Sequence, residues 1–166
     1  LGKFSITIPI GKVNITRKVS ELLIIVRSYT NTKNKKSINM LDQNKNRIFE
    51  FPKSEYTLRT INSIIYSCNK ALEEFKSLKI KLIITDHDSE TEIIKKIEKC
   101  LIKAKFKTST INLANSKIKD DINKNDELNK PISENMISNM MNIYKSLLLT
   151  KDGANDLVYF LEDDYI

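Results

Sequence analysis

Short apolar runs recur along the chain and predict the strands of a buried sheet. "ELLIIV" at 21–26 and "KIKLIIT" at 79–85 have the length and the β-branched content of strands that are covered on both faces. Two shorter segments, the β-branched "TSTINL" at 108–113 and the apolar "LVYFL" at 157–161, predict a third and a fourth strand. Continuous burial of this kind is typical of parallel sheets.

Between these runs, apolar residues recur every three or four positions, which predicts helices at about 57–76, 90–104 and 132–149. Ser89, with Glu92 three positions later, predicts a capping box at the start of the second helix. In the third helix, one apolar stripe is predicted to face the sheet. Its members are Met136, Met140, Ile143, Tyr144 and Leu147.

The regular alternation of strand and helix predicts an α/β fold: a three-layer sandwich with a mostly parallel sheet, Rossmann-like. Residues 1–166 are expected to form a single domain. "FSITIPI" near the N-terminus alternates with strand period, and we expect it to form a small hairpin with "RIFEF" at 47–51. Because the chain begins without Met, we also expect it to be part of a longer protein, and the domain to be partial.

The net charge of +7 comes from lysines that are dispersed along the chain, and only four of the 28 basic residues are Arg. No arginine-rich or aromatic cluster is present, so nucleic acid is not expected as a partner. Two cysteines without a CxxC pair predict reduced thiols and no zinc site. The first residues, "LGKFSITIPIGK", lack the apolar core expected of a signal peptide, and the sequence shown has no apolar run of the roughly 20 residues that span a bilayer.

Polar residues follow three of the predicted strands, in "RSYTN", "DHDSE" and "EDDYI". The carboxyl ends of parallel strands share one edge of the sheet, where such folds bind ligands. Glu162 and Asp164 lie on the same side of an extended segment and can hold Mg²⁺ or Mn²⁺, although acidic residues also simply solvate strand ends. Asp86 stands at the mouth of the crevice and can bind a base or ribose or cap the next helix. The only histidine, His87, is expected to be an ordinary loop residue.

Four segments in this order resemble the first half of a family-two, inverting glycosyltransferase of the GT-A fold. "LLIIVRSYTN" resembles the first strand of that family with its nucleotide-facing loop, and "YTLRTINSIIYSCNKAL" resembles the helix after it. "IKLIITDHDSETEIIKKI" is similar to the second strand and its aspartate, and "DLVYFLEDDYI" to the strand that carries the D-x-D motif. The chain departs from the family in the insertion at 31–56, in Asp88 at the place of a glycine, and in the polar stretch 114–131.

The resemblance implies a metal-dependent transferase whose donor is a nucleotide sugar, with a UDP-sugar as the first expectation. The implied donor-binding residues are Ser28, Tyr29, Thr30, Asp86 and Asp163, and the implied metal ligands, for Mn²⁺ or Mg²⁺, are Glu162 and Asp164. The catalytic base and the acceptor site would lie beyond Ile166, which makes this chain the donor half and inactive alone. The family also implies a glycan or lipid acceptor and a cytoplasmic location at the membrane face, where the positive charge suits peripheral contact.

Two other functions are compatible with the same residues. "LIITDHDSE" resembles the motif of haloacid-dehalogenase-like phosphatases, in which Asp86 would be the nucleophile and Asp88 the acid and base. That motif normally has a glycine that is missing here, and it lies on the first strand of those enzymes. The other alternative is an α/β binding module without catalysis, whose acidic residues are regulatory or merely solvated.

Overall fold

The computed structural model of the protein describes residues 18–30, 52–87, 89–113 and 134–162. These residues form an α/β fold in which strands and helices alternate, as predicted. The strands are β1 (Glu21–Ser28), β2 (Lys79–Asp86), β3 (Lys107–Asn112) and β4 (Leu157–Glu162). The helices are α1 (Lys53–Glu74), α2 (Thr91–Leu101) and α3 (Glu134–Gly153). The predicted hairpin between 4–10 and 47–51 lies outside the described residues.

The four strands form one parallel sheet in the order β3-β2-β1-β4. The chain moves outward from β1 through β2 to β3, and then crosses back to place β4 on the other side of β1. In register, Ser28 lies opposite Asp86, and Arg27 lies opposite Glu162. The direction of the connections therefore reverses between β1 and β4, and that is the position at which open parallel sheets form a ligand crevice.

The main core lies between one face of the sheet and the helices α1 and α2, which also pack against each other. Alternate residues of β1 and β2 point into it, which is why both runs are rich in Ile and Leu. Its fully covered members are Ile24, Val26, Ile61, Leu82, Ile84 and Ile97. Helix α3 contacts β1 and β2, and a smaller cluster of Leu113, Ile137 and Met141 forms beside it. The result is the predicted three-layer sandwich.

The side of α3 that meets the sheet differs from the prediction. Ile137 and Met141 are buried together with the polar Ser138, Asn142 and Ser146. The predicted inward stripe is exposed along its whole length: Met136, Met140, Ile143, Tyr144 and Leu147. The Ser146 hydroxyl donates to the Asn142 carbonyl at 2.7 Å, so this side chain satisfies its hydrogen bond within the helix and can be buried. Periodicity located the stripe correctly, but it does not determine which side faces the sheet.

Hydrogen bonds join the amino ends of the central strands. The backbone N–H and the hydroxyl of Ser20 both donate to Asp156 Oδ2, at 2.7 and 3.1 Å, which fixes the start of β4 beside β1. Glu21 Oε1 accepts from Lys81 Nζ at 3.3 Å and from Asn155 Nδ2 at 3.1 Å. One glutamate thus links β1 to β2 and to the turn before β4.

The helices of the described ranges include none that is both long and apolar enough to cross a membrane. Both cysteines are free thiols, as predicted: Cys68 is buried in the core and Cys100 is half-buried on α2. Burial raises the pKa of the Cys68 thiol, which keeps it in its unreactive, protonated form.

Candidate functional site

The polar residues that follow the strands lie together at one edge of the sheet, because all four strands run in the same direction. Ser28 ends β1, Asp86 ends β2 and Glu162 ends β4. The sheet therefore brings together residues that are more than 130 positions apart in the chain. Asp163 and Asp164, which follow Glu162, lie outside the described residues.

Asp86 lies at the centre of a hydrogen-bond network that connects two loops. Its carboxylate is completely buried, and it accepts from the Ser89 hydroxyl at 2.6 Å and from the Ser89 backbone N–H at 3.1 Å. The Ser89 oxygen in turn accepts from the Thr30 hydroxyl at 2.7 Å and from the Thr30 N–H at 3.0 Å. Since the one proton and both lone pairs of the Ser89 hydroxyl are used, the network holds the loop after β1 against the loop after β2.

This network explains why the predicted capping box is wrong. The N-cap of α2 is Glu90, and its side chain makes no capping hydrogen bond. The Ser89 hydroxyl is committed to Asp86 and Thr30, so it is not available to the first N–H groups of the helix. The backbone N–H groups of Ile93 and Ile94 bond to the Glu90 carbonyl, as expected when Glu90 is the N-cap residue.

A second group of residues at this edge combines two aromatic rings with two polar atoms that have no hydrogen-bond partner in the described part of the chain. The His87 N–H donates to the Ser28 carbonyl at 3.2 Å. This bond places His87, the first residue after β2, beside the end of β1. The rings of Tyr29 and His87 have centroids 6.0 Å apart and are tilted by 37°. Ser28 Oγ and His87 Nδ1 are both buried and have no hydrogen-bond partner among the described residues. Lys53 Nζ, at the start of α1, lies 5.9 Å from the centre of the Tyr29 ring.

At the carboxyl end of β4, Glu162 is paired with Arg27. Arg27 Nη2 lies 2.5 Å from Glu162 Oε1, and Nη1 donates to Asn139 Oδ1 on α3 at 3.2 Å. The guanidinium thus connects β1, β4 and α3, with 19% of its side chain exposed. The positive charge of Arg27 balances the carboxylate of Glu162, the one predicted metal ligand that lies within the described residues. A cation at Glu162 would have to share this carboxylate with Arg27.

The structure places Ser28, Tyr29, Thr30 and Asp86 together at the carboxyl ends of β1 and β2. Thr30 and Asp86 are hydrogen-bonded to Ser89 there. Two contributors were not anticipated from the sequence. The sequence predicts His87 as a plain loop residue, although its place directly after Asp86, at the end of a buried strand, is a signal for the site. The pairing of Arg27 with Glu162 depends on the register of β1 and β4, which no local pattern reveals.

Comparison with models of known protein families gives no match, and comparisons with curated proteins and with solved structures give none either. In the described part of the chain, no three His, Cys, Asp or Glu side chains are grouped so that they could hold a metal ion. What the structure defines is the class: a Rossmann-like α/β protein in which polar residues gather at the carboxyl edge of a parallel sheet.

Proposed function

We propose that this chain binds a nucleotide-sugar donor, as the donor-binding half of a metal-dependent glycosyltransferase. One observation carries the proposal: the strand connections reverse between β1 and β4, and polar residues suited to a nucleotide stand on both sides of the reversal. Ser28 and Tyr29 follow β1, whereas Glu162 ends β4 and precedes two further carboxylates. Parallel sheets bind their ligands at this position because the diverging loops leave a crevice there.

In this proposal the nucleoside lies over the ends of β1 and β2. Tyr29 offers a ring face. The Ser28 hydroxyl has no partner among the described residues, but the residue is only 1% exposed, so a direct contact of Ser28 with the nucleoside stays a prediction. Thr30 and Asp86 hold the two loops in place through Ser89. A direct contact of Asp86 with the base stays a prediction, since each of its carboxylate oxygens already accepts a hydrogen bond from Ser89.

The diphosphate lies toward the end of β4, where the sequence supplies only oxygen ligands. Glu162 and Asp164 would hold Mn²⁺ or Mg²⁺, since hard cations prefer such ligands. A bound cation of this kind neutralises charge on a diphosphate leaving group. Glu162 is 48% exposed and so can be reached from solvent, while Arg27 fixes its position. Transfer by direct displacement needs a base that these residues do not supply.

The burial of Asp86 counts against the phosphatase alternative. A nucleophilic carboxylate must reach a phosphorus atom, but the Asp86 side chain is fully covered and both of its oxygens are engaged by Ser89. In the glycosyltransferase proposal the same carboxylate needs no access to a reacting atom.

The proposal is tested by titrating the 166-residue chain with UDP in the presence of Mn²⁺, using calorimetry. Wild type is expected to bind, and Asp164→Ala is expected to bind at least about tenfold more weakly, because one ligand of the metal is lost. Asp152→Ala, which removes an exposed carboxylate at the far end of α3, is the matched control and should bind like wild type. Equal binding by wild type and Asp164→Ala would overturn the metal site, and a wild type that binds no UDP would overturn the donor site.

A further inference from the structure

Helix α3 exposes an apolar face to solvent, although its buried side includes the polar Ser138, Asn142 and Ser146. A surface helix normally turns its apolar stripe toward the core and its polar residues toward water. Five large side chains form the exposed face, called the outer stripe below, and each is between 38% and 56% exposed: Met136, Met140, Ile143, Tyr144 and Leu147. Contiguous apolar surface of this kind marks an interaction site.

The spacing of the outer stripe is that of a helix which packs against another helix. Met136, Met140, Ile143 and Leu147 follow one another at intervals of four, three and four residues. The same alternation of intervals defines the seam of a coiled coil, in which each side chain inserts between residues of a facing helix. Methionine side chains adapt to irregular contacts, so two of them suit such a seam. The outer stripe therefore fits a second helix.

The area of the outer stripe decides whether a second copy of the chain could be held there. At roughly 200 Å² for a large apolar side chain, the exposed fractions leave about 450–500 Å² uncovered on each chain. Homodimer interfaces are about 65% apolar, so two such stripes belong to an interface that buries about 1,400–1,500 Å² in total. Stable protein–protein interfaces bury about 1,200–2,000 Å². Two copies of the stripe thus provide the area that a stable dimer needs.

We propose that the outer stripe is a dimer interface, where α3 packs against the same stripe of a second copy of this chain. The two helices run antiparallel about a two-fold axis, so Met136 of one copy meets Leu147 of the other, and Met140 meets Ile143. The direction follows from Lys151, which is exposed and continues the stripe one turn after Leu147. A parallel arrangement would place the two Lys151 ammonium groups side by side, whereas an antiparallel arrangement keeps these like charges apart.

A membrane surface is another partner that an apolar helix face can fit. Helices that lie in a lipid interface carry Lys and Arg on the face opposite the apolar one. The corresponding face of α3 is covered by the sheet, and its buried polar residues, Ser138, Asn142 and Ser146, have no charge. The arrangement of α3 therefore favours a second copy over lipid.

Sedimentation velocity of the 166-residue chain over a wide range of concentrations tests the proposal. Wild type is expected to show a reversible equilibrium between monomer and dimer. Ile143→Glu should raise the dimer Kd at least about a hundredfold, because the symmetric seam would then bury two carboxylates. The matched control is Ile102→Glu, which changes an isoleucine that is 81% exposed at the end of α2, in the other helix layer, and should dimerise like wild type. Circular dichroism establishes that each variant is folded.

Disulfide crosslinking tests the direction of the two helices, in a Cys100→Ser background that removes the half-buried thiol. Met136→Cys combined with Leu147→Cys should give a crosslinked dimer, since the two positions meet across the seam. Leu147→Cys alone should not, because the two copies of that position lie about 16 Å apart along the helix axis, too far for a disulfide. Equal crosslinking by the single variant would overturn the antiparallel arrangement.

Three results would overturn the dimer interface itself. They are a wild type that stays monomeric at every concentration, an Ile143→Glu variant that dimerises as tightly as wild type, and a monomeric chain that binds vesicles of phosphatidylcholine and phosphatidylserine through Ile143. The last result would identify lipid as the partner of the outer stripe. Dimerisation requires no nucleotide, so none of these results bears on the proposed donor site.

Discussion

Replacing Ser89 by Ala tests whether a single hydroxyl connects the two loops of the crevice. The change removes one oxygen atom and leaves almost no cavity, so its effect reports on hydrogen bonds. That oxygen donates to Asp86 Oδ1 at 2.6 Å and accepts from the Thr30 hydroxyl and from the Thr30 N–H, at 2.7 and 3.0 Å. Asp86 would keep its bond to the Ser89 backbone N–H, which the substitution does not alter.

The expected loss follows from the kind of each bond. A hydrogen bond to a charged group contributes about 1.5–3 kcal/mol, and a neutral one about 0.5–1.5 kcal/mol. Water replaces part of what is lost at this partly buried site, and bonds that share one atom do not add. We therefore expect Ser89→Ala to lower the free energy of unfolding by about 2–3 kcal/mol. For a domain of this size that corresponds to a fall in Tm of roughly 4–12 °C.

Urea unfolding followed by circular dichroism measures this loss, and Ser67→Ala is the matched control because Ser67 is exposed on α1. The control should lie within about 0.5 kcal/mol of wild type. Hydrogen exchange supplies a local readout, since the Thr30 N–H donates to the Ser89 oxygen and should lose protection in Ser89→Ala. If the stability of Ser89→Ala matched that of the control, and if Thr30 stayed protected, the loop connection described here would be refuted.

Two further predictions concern the ends of the sheet. At the carboxyl end, a double-mutant cycle of Arg27→Met and Glu162→Gln, measured by urea unfolding, should give a coupling energy of about 0.5–1 kcal/mol. The coupling is small because Glu162 is exposed to water. A coupling energy of zero would contradict the pairing. At the amino end, burial alone would raise the pKa of Glu21, but hydrogen bonds from Asn155 and Lys81 outweigh it and hold that pKa below its ordinary value of 4.5. The stability that Glu21 contributes is therefore present above pH 4.5 and is lost as the pH falls through the lowered folded-state pKa. The advantage of wild type over Glu21→Gln in urea unfolding should shrink over that range, and a constant difference would contradict the assignment.

The order of elements was predictable because each strand and helix carries a strong local signal. The run at 22–26 is apolar throughout, and β1 is accordingly the central strand between β2 and β4, with Ile25 and Val26 fully buried. The start of α1 was less predictable: the helix begins at Lys53, four residues before the predicted start. Its first turn contains Tyr56, which is buried although it precedes the periodic stripe.

Long-range geometry was not predictable from the sequence. Periodicity finds the apolar stripe on α3, but only the packed structure shows that the sheet covers Ser138 and Asn142 instead. The position of Arg27 beside Glu162 requires the strand order and register, which depend on how all four strands assemble. The strand ends were predicted as the site because parallel strands place their carboxyl ends together, and this much follows from the order of elements alone.

Chemical-shift mapping of UDP with Mg²⁺ on the ¹⁵N-labelled chain locates the proposed nucleotide site without any substitution. Binding at the carboxyl edge should shift the backbone amides of 27–30, of Asp86, His87 and Ser89, and of Glu162, since these residues end β1, β2 and β4 or follow them closely. Amides at the opposite edge, such as those of Ser20 and Lys79, should remain unchanged. Shifts confined to the opposite edge, or no shifts at saturating UDP, would contradict the account.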